Sequence, residues 1–390
     1  MTSFRKLYFV LLLFLILTGC LGATTGVVTD IQPGERPDIA SDEGGLWMAM
    51  DRVEYSLKSS GSLVTDAQLN SYVGDVVCKL AGPYCGDIRV YIVRAPHFNA
   101  SMAPNGVLQV WTGLLLRVQN ESQLAYVLGH EIAHYLRRHS LRQWRDKHNK
   151  AEALVFLQIA ANIAGHGYAG NIAQFIASAS VFAYSRDHER EADELGFGFL
   201  LDAGYDPGQA ANVWRNLIRE RDASDEPEQL IFFSTHPATL ERVETLEKLA
   251  SNSVSGGTPL NVGTERFNGS VLRLRSQLLR DELRLRKFEQ SQVVLQQLIE
   301  SGVNLGELQF FQGELYRMRS EPNDEERAIE AYHKALAYED VPLEVHRELG
   351  FIYMRSGKRD EARKALRNYI TSNSGADDKA MIEFYLEQLE

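Results

Sequence analysis

The sequence lacks an excess of positive charge and lacks long uninterrupted apolar runs. It has 41 basic against 52 acidic residues, and the net charge of −11 gives no support for nucleic-acid binding. The apolar run from Leu7 to Leu17 is too short to cross a bilayer of about 30 Å as a helix. Segment 151–184 is mostly apolar but is interrupted by the glycine-rich stretch 165–170, which predicts a buried or cleft-covering helical hairpin.

Length and composition predict a globular protein with two domains. A chain of 390 residues with 44% hydrophobic residues is long for one compact core and can bury two. Residues 251–263 are rich in Ser, Asn and Gly, which is typical of a linker. We therefore expect one domain over 46–250 and another over 264–390. A small sheet within the first domain and helices elsewhere give the expected fold class, mainly α with a small β-sheet.

The first residues have the pattern of an export signal. Two cations precede the apolar run, and the run ends in Leu-Thr-Gly-Cys, with small residues ahead of Cys20. This predicts a lipoprotein signal over 1–20 with Cys20 lipid-modified; an uncleaved anchor or simple secretion is the alternative. Because Leu21 is not the aspartate that retains lipoproteins at the inner membrane, we expect the periplasm, with the lipid in the outer membrane. Residues 21–45 are expected to be a flexible tether.

Cys78 and Cys85 are the cysteines that remain after Cys20. In an oxidising compartment, two nearby cysteines around a Gly-Pro turn predict a disulfide that closes a short loop. A second metal site is the alternative, but no histidine lies between or beside these two cysteines.

Residues 130–134 form an H-E-x-x-H motif. On a helix, His130 and His134 lie about 40° apart on one face, so both imidazoles can bind one Zn²⁺ ion. Glu131 lies about 100° from His130 and is placed to act as a general base toward a water molecule at the metal. Asn120 and Gln123 form a capping-box pattern at the start of this helix. An apolar stripe on the opposite side predicts that the helix packs one face into a core and turns the other toward a cleft.

Two β-branched segments precede the metal helix. Residues 88–93 and 107–111 alternate as strands do, and Pro104-Asn105-Gly106 supplies a turn. An edge strand beside a zinc site can hold an extended peptide by backbone pairing, so Asn99, Ala100 and Ser101 are the candidate substrate strand. A surface hairpin with no substrate role is the alternative.

The third metal ligand must come from downstream, because Arg137 and Ser140 stand where a metzincin continuation needs Gly and His. On a helix over 186–193, Glu189 and Asp193 share a face. Glu189 is therefore the predicted ligand, and Asp193 is the predicted acceptor for the free ring N–H of a ligand histidine. Ala192 and Gly196 fall beside this pair and would allow close approach of two helices. A charged amphipathic helix without a metal role is the alternative.

These motifs resemble metallopeptidase family 48. His-Glu-Ile-Ala-His at 130–134, followed by Ser-Arg-x-x-Glu-x-Glu-Ala-Asp at 185–193, is the pattern that carries the resemblance. The export signal and Ser-Thr-His-Pro at 234–237 are most similar to its branch of periplasmic β-barrel assembly-enhancing proteases. The resemblance implies a zincin-type metalloprotease in which His130, His134 and Glu189 bind one zinc, Glu131 is catalytic and Asp193 supports the site.

His236 has two candidate roles. The resemblance implies a switch, in which this histidine occupies the open zinc position and keeps the protease inactive. A histidine here could equally donate a hydrogen bond to the oxyanion of a tetrahedral intermediate. A loop histidine without a role is the third interpretation.

The segment after residue 263 is helical and repetitive. Gly313-x-x-Tyr316 recurs as Gly350-x-x-Tyr353, and each is followed by a helix with small residues, which resembles tetratricopeptide repeats in an α-solenoid. A generic helical bundle is the alternative. The family implies unfolded or misassembled outer-membrane proteins as substrates and the β-barrel assembly machinery as a partner of the repeats. The competing hypothesis is an assembly factor that binds through the repeats and whose zinc site is silenced.

Overall fold

A computed structural model describes residues 28–146, 184–224, 232, 236, 239–253 and 260–390. Residues Ile31–Glu390 form one compact unit. The predicted signal peptide, Cys20 and the apolar hairpin of 151–183 lie outside the described residues. None of the described helices combines the length and the apolar character that a membrane crossing requires.

The described elements are mainly helices around a small sheet, so the predicted fold class is confirmed. The helices are α1 (Asp42–Ser59), α2 (Ala67–Ala81), α3 (Thr112–Arg117), α4 (Glu121–Leu136), α5 (His139–Asp146), α6 (Arg186–Asp202), α7 (Gly208–Arg221), α8 (Leu240–Ser253), α9 (Thr264–Arg284), α10 (Phe288–Glu300), α11 (Leu305–Arg319), α12 (Asp324–Ala335), α13 (Glu344–Arg355), α14 (Arg359–Ser372) and α15 (Lys379–Gln388). The strands are β1 (Arg89–Val93), β2 (Ala100–Met102) and β3 (Val107–Trp111).

The sheet has the order β1-β3-β2, with β3 in the centre. Strand β1 runs parallel to β3, and β2 runs antiparallel to it. All five residues of β3 are buried, as its apolar and β-branched sequence predicts. Because the order is β1-β3-β2, strand β2 is an edge of the sheet. The predicted substrate stretch lies there, since Asn99 precedes the strand and Ala100 and Ser101 belong to it.

Helix α4 is the central helix of the unit. Its cap is the predicted one, since the side chain of Asn120 accepts a hydrogen bond from the backbone N–H of Gln123 at 2.9 Å. Residues 121–135 are all buried, so the expectation that one face opens to a cleft is wrong. Helix α6 covers the histidine face, because Gly129 and Gly196 allow the two backbones to approach closely. The close approach predicted for Gly196 is confirmed.

The packed part of the chain begins earlier than residue 46. Ile31 is buried in the main core, and its N–H donates to the carbonyl of Leu136 at the end of α4. Arg138 forms an ion pair with Glu35, and α1 already begins at Asp42. Residues 31–45 of the predicted tether are thus held against the fold, because they bury the side chain of Ile31 and pair Glu35 with Arg138.

The C-terminal region contains helical hairpins with equivalent contacts. A Cβ on Gly313 would meet the ring of Tyr332, and a Cβ on Gly350 would meet the side chain of Leu366. Each glycine therefore lets the first helix of a pair approach the second. The core is continuous from Ile31 to Ala365 and joins the C-terminal helices to the region around α4. Residues 254–259 of the predicted linker lie outside the described residues.

Candidate metal centre

Two histidines of α4 provide the first half of the site. One helical turn separates His130 and His134, and their Nε2 atoms lie 3.1 Å apart. Both side chains are about 1% exposed. Burial holds the pKa of His134 well below its usual value, which favours the neutral imidazole that binds metal ions.

Helix α6 brings Glu189 to these histidines. Glu189 Oε1 lies 3.5 Å from His134 Nε2, and Oε2 lies 3.6 Å from His130 Nε2. The close approach of α4 and α6 makes this possible, since a Cβ on Gly196 would lie only 2.7 Å from the backbone nitrogen of His130. A larger residue at this position would force the carboxylate away from the imidazoles.

His236 completes a group of four ligand atoms. Its Nδ1 lies 3.2 Å from His130 Nε2 and 3.0 Å from Glu189 Oε1. Its ring stacks on Phe232 at 4.6 Å, and its backbone N–H donates to the carbonyl of Phe232. Among the described residues, His130, His134, Glu189 and His236 form the group in which four such atoms lie within 4.8 Å of one another.

The arrangement fits a tetrahedral zinc ion. Zinc binds imidazole nitrogens and carboxylate oxygens at about 2.0–2.2 Å, which places ligand atoms roughly 3.4 Å apart in a tetrahedron. The separations given above, 3.0–3.6 Å, agree with this value. Glu189 Oε2 is buried and lies 2.7 Å from Arg242 Nη1, so a cation already holds this carboxylate in place beside the imidazoles.

Glu131 lies next to the ligand group without joining it. Its side chain is about 1% exposed, and its Oε1 lies 3.4 Å from His236 Nε2. Burial raises the pKa of Glu131 from its usual value, and the negative charge of Glu189 adds to this, whereas His236 and His130 oppose it. The backbone N–H of Met102 in edge strand β2 donates to this carboxylate. A buried carboxylate with a raised pKa is suited to accept and release a proton near neutral pH.

Asp193 lies behind His130, one turn after Glu189. Its Oδ1 lies 3.0 Å from His130 Nδ1 and accepts a hydrogen bond of 2.7 Å from the hydroxyl of Tyr126. Burial alone would raise the pKa of Asp193, but Arg242 and His130 hold it well below its usual range. The carboxylate is therefore ionised and can hold the ring of His130 in one orientation.

Several residues of this site were missed by the sequence interpretation. Arg242 is fully buried by neighbours and pairs with Glu189 at 2.7 Å and with Asp193 at 2.6 Å. Tyr184 stacks on His134 at 3.8 Å, and His139 contacts the same imidazole. Arg242 and Tyr184 belong to no sequence motif, because only tertiary packing brings them to the site. His139 lies only five residues after His134, and this short spacing could have indicated that the two histidines are neighbours.

Cys78 and Cys85 are bonded to each other in the structure. The disulfide joins the end of α2 to the following turn of 3₁₀ helix, Gly82–Asp87. It closes a short loop before β1 and contributes no atom to the ligand group.

Comparison with known proteins gives one family match and several relatives. Residues 64–250 match the model of peptidase family M48. The chain is 29% identical to a beta-barrel assembly-enhancing protease of Yersinia pestis over 262 residues, 62% of this chain and 52% of that protein. It is 30% identical to mitochondrial metalloendopeptidase OMA1 of Schizosaccharomyces pombe over 162 residues, 41% of this chain and 45% of the relative. It is 25% identical to the beta-barrel assembly-enhancing protease of Escherichia coli over 224 residues, 53% and 45% of the two chains. The chain thus spans about half the length of these relatives.

Proposed function

Residues 64–250 are a peptidase family M48 domain, and we therefore propose that the protein is a zinc-dependent endopeptidase. The observation that carries the proposal is the buried group of His130, His134, Glu189 and His236 with Glu131 beside it. Imidazole and carboxylate ligands are those of zinc hydrolases. The ligand assignment and the catalytic role of Glu131 are parts of the proposal.

Glu131 is the general base and acid. When bound, zinc would polarise the peptide carbonyl and lower the pKa of a water molecule. Glu131 takes a proton from that water as it attacks the carbonyl carbon, and then delivers the proton to the leaving amine nitrogen. Asp193 and Arg242 fix the ligand side chains, since Arg242 pairs with both Asp193 and Glu189.

The substrate binds as an extended peptide along β2. This strand is an edge of the sheet, and its Met102 N–H already points to Glu131. Pairing along Asn99, Ala100 and Ser101 would place a peptide carbonyl beside the ligand group. Edge-strand addition uses backbone hydrogen bonds, so it accepts many sequences, which suits a protease that acts on unfolded chains.

His236 holds the resting enzyme inactive by filling the fourth ligand position. Its Nδ1 lies among the other ligand atoms, where a substrate carbonyl and a water molecule would otherwise be bound. Its Nε2 faces Glu131, so it also blocks the general base. Activity therefore requires that His236 leave the position between Glu189 and Glu131.

The wider role we propose is quality control of outer-membrane β-barrel proteins. Two relatives are named as beta-barrel assembly-enhancing proteases. The lipoprotein signal predicted over 1–20 would anchor the protein by a lipid on the periplasmic side of the outer membrane. Misassembled barrel proteins are the proposed substrates. The C-terminal helices are proposed as tetratricopeptide repeats that bind the barrel-assembly machinery.

A second function is favoured by the position of His236. A site whose fourth position is filled by the protein itself would suit an assembly factor that seldom cleaves. Expression of the Glu131→Gln variant in cells that lack the protein distinguishes the two functions. Rescue of the envelope would support the assembly role, and failure of rescue would support proteolysis.

The experiment that tests the proposal is cleavage of an unfolded protein by the zinc-loaded full chain. Glu131→Gln should bind zinc with unchanged stoichiometry and lose at least about 100-fold in cleavage rate, the range typical of a missing general base. Glu194→Gln, on α6 but outside the ligand group, is the matched control and should cleave normally. Undiminished cleavage by Glu131→Gln would overturn the proposal.

A further inference from the structure

A second imidazole lies against the outer nitrogen of His134. His139 Nδ1 is 2.9 Å from His134 Nδ1, and His139 Nε2 is 3.0 Å from Glu191 Oε2. The side chain of His139 is 0% exposed. Among the described residues, the Nδ1 atom of His134 thus faces an imidazole, whereas the Nδ1 atom of His130 faces the carboxylate of Asp193 directly.

We infer that His139 and Glu191 form a hydrogen-bond relay that fixes the tautomer and orientation of His134 as a metal ligand. The inference rests on the proposed function, because it concerns the same metal centre. His139 and Glu191 are positioning residues in this account, since they act through His134.

The position of each hydrogen in the relay follows from which atoms can donate and which can accept. An ionised carboxylate only accepts hydrogen bonds, so the hydrogen between His139 and Glu191 is on His139 Nε2. In a neutral imidazole the other nitrogen is then an acceptor, so the hydrogen between the two Nδ1 atoms is on His134. The Nε2 atom of His134 is left with a free lone pair, and it faces the ligand group. Glu191 thus determines the tautomer of a residue that it does not touch.

Cations keep Glu191 in the role of acceptor. Arg137 Nε lies 2.9 Å from Glu191 Oε1, and Arg142 Nη1 lies 3.7 Å from Oε2. These charges favour the ionised carboxylate. Both arginines come from the turn and helix that also supply His139, so the segment 137–142 organises the outer end of the relay.

The backbone between α4 and α5 places His139 beside His134. Arg138 has φ 51°, a left-handed conformation that a residue with a side chain seldom adopts. Its side chain pairs with Glu35 and lies 3.6 Å from Glu43, which holds the turn. The turn ends α4 and starts α5 at His139, so the chain folds back within five residues.

Aromatic contacts hold both rings of the relay. Tyr184 stacks on His134 at 3.8 Å, and its hydroxyl is 2.9 Å from Ser140 Oγ. His188 stacks on His139 at 4.3 Å. With one face of each imidazole covered, the rings have little freedom to rotate out of the line.

The test measures the zinc affinity of the full-length protein by competition with a chelator of known affinity. His139→Phe keeps a ring of similar shape but has no nitrogen, and it should weaken zinc binding by about 10–100-fold, as loss of such an outer partner does. His139→Asn can accept through an amide oxygen close to the position of Nδ1 and should restore most of the affinity. Glu191→Leu, at a side chain that is 34% exposed, should fold normally and lose affinity in the same direction as His139→Phe.

His346→Phe, at a half-buried histidine on α13, is the matched control. It makes the same exchange of side chains away from the metal centre, so it should bind zinc like the unchanged protein. In the zinc-free protein, nitrogen NMR of His134 should show the Nδ1–H tautomer, and His139→Phe should shift it toward Nε2–H.

The outcomes separate this inference from the proposed function. Wild-type affinity in both His139→Phe and Glu191→Leu would overturn the relay while leaving the peptidase intact. Equal losses in His346→Phe and His139→Phe would show an effect that does not come from the relay, and would overturn it too. Failure of the unchanged protein to bind zinc would overturn the proposed function itself and the relay with it.

Discussion

At the scale of single residues, the site is a set of buried polar groups, and the charge of each group depends on its neighbours. Glu189 shows this dependence. Burial would raise the pKa of this carboxyl, but His236, His134 and Arg242 together hold it well below its usual value. The carboxylate is therefore a negative group before any metal ion arrives, and the site is preorganised for a cation.

His236 gives the prediction at this scale. Replacing it with Ala frees the fourth ligand position and the face of Glu131, so cleavage of an unfolded protein should rise. An increase of at least about tenfold is expected, because a minor open state is populated at roughly 10% or less. His346→Ala, at a half-buried histidine on α13, is the control and should leave the rate unchanged. A fall in the rate would favour an oxyanion role for His236, and an unchanged rate would leave it a loop histidine without a role.

Much of the site could be predicted from spacing along a helix. His130 and His134 are one turn apart, and so are Glu189 and Asp193, and helical geometry alone places each pair on a shared face. Glu191 shows the limit of this reasoning. Its side chain lies about 200° round the helix from that of Glu189, yet the turn at Arg138 brings His139 to meet it. Contacts that depend on a rare backbone conformation leave no periodic pattern in the sequence.

At the scale of elements, the site depends on how closely α4 and α6 pack. The two helices meet at Gly129 and Gly196, where a Cβ on Gly129 would lie 3.1 Å from the carbonyl oxygen of Gly196. The sequence allowed the pairing of these elements to be predicted, since Ala192 and Gly196 are small and lie beside the ligand. The burial of residues 121–135 could not be predicted, because it depends on helices distant in sequence.

Gly196→Ala tests this packing. The added methyl group would lie 2.7 Å from the backbone nitrogen of His130, so the helices must separate. We expect a loss of about 1–3 kcal/mol in the free energy of unfolding, typical of overpacking, together with weaker zinc binding. Denaturant unfolding and chelator competition measure the two effects.

Gly198→Ala is the matched control on the same helix. A Cβ there meets no other atom of the described residues within 4 Å. Alanine is the better helix former, so this variant should gain up to about 1 kcal/mol and keep its zinc affinity. If both alanine variants behaved alike, the glycine contact would not be what positions Glu189.

At the scale of the whole molecule, the C-terminal helices are fixed to the region around the metal centre by buried charges. Arg117 on α3 pairs with Glu220 on α7 at 2.7 Å and with Glu282 on α9 at 3.0 Å. The three side chains are 5%, 2% and 2% exposed. Burial by itself would lower the pKa of Arg117, but the two glutamates raise it well above its usual value, so the cation is permanent.

Arg117 gives the prediction at this scale. Arg117→Met leaves two buried carboxylates without their cation and should cost about 3–5 kcal/mol in the free energy of unfolding. Glu282→Gln should cost far less, because Arg117 keeps Glu220 as a partner and Ser291 still donates to the residue at 282. Because the core is continuous, both regions should unfold in one transition of the circular dichroism signal. An equal cost for the two variants, or separate transitions for the two regions, would contradict this account.

The domain boundary shows why the whole molecule was harder to predict than its parts. The composition of 251–263 marks a linker, and the repeats after it have their own pattern, so the sequence suggests two separate bodies. The structure joins α9 to α3 through Arg117 and Glu282, residues 165 positions apart. An ion pair between residues so far apart in sequence has no local signature.

We propose that the buried group of His130, His134, Glu189 and His236 is the zinc site of a metalloendopeptidase. Anomalous diffraction at the zinc absorption edge, from crystals of the zinc-loaded full chain, tests it most directly. We expect one peak per chain about 2.0–2.2 Å from His130 Nε2, His134 Nε2 and a Glu189 oxygen, with His236 Nδ1 as the fourth ligand at rest. A peak elsewhere, or zinc-loaded crystals with no peak among these residues, would contradict it.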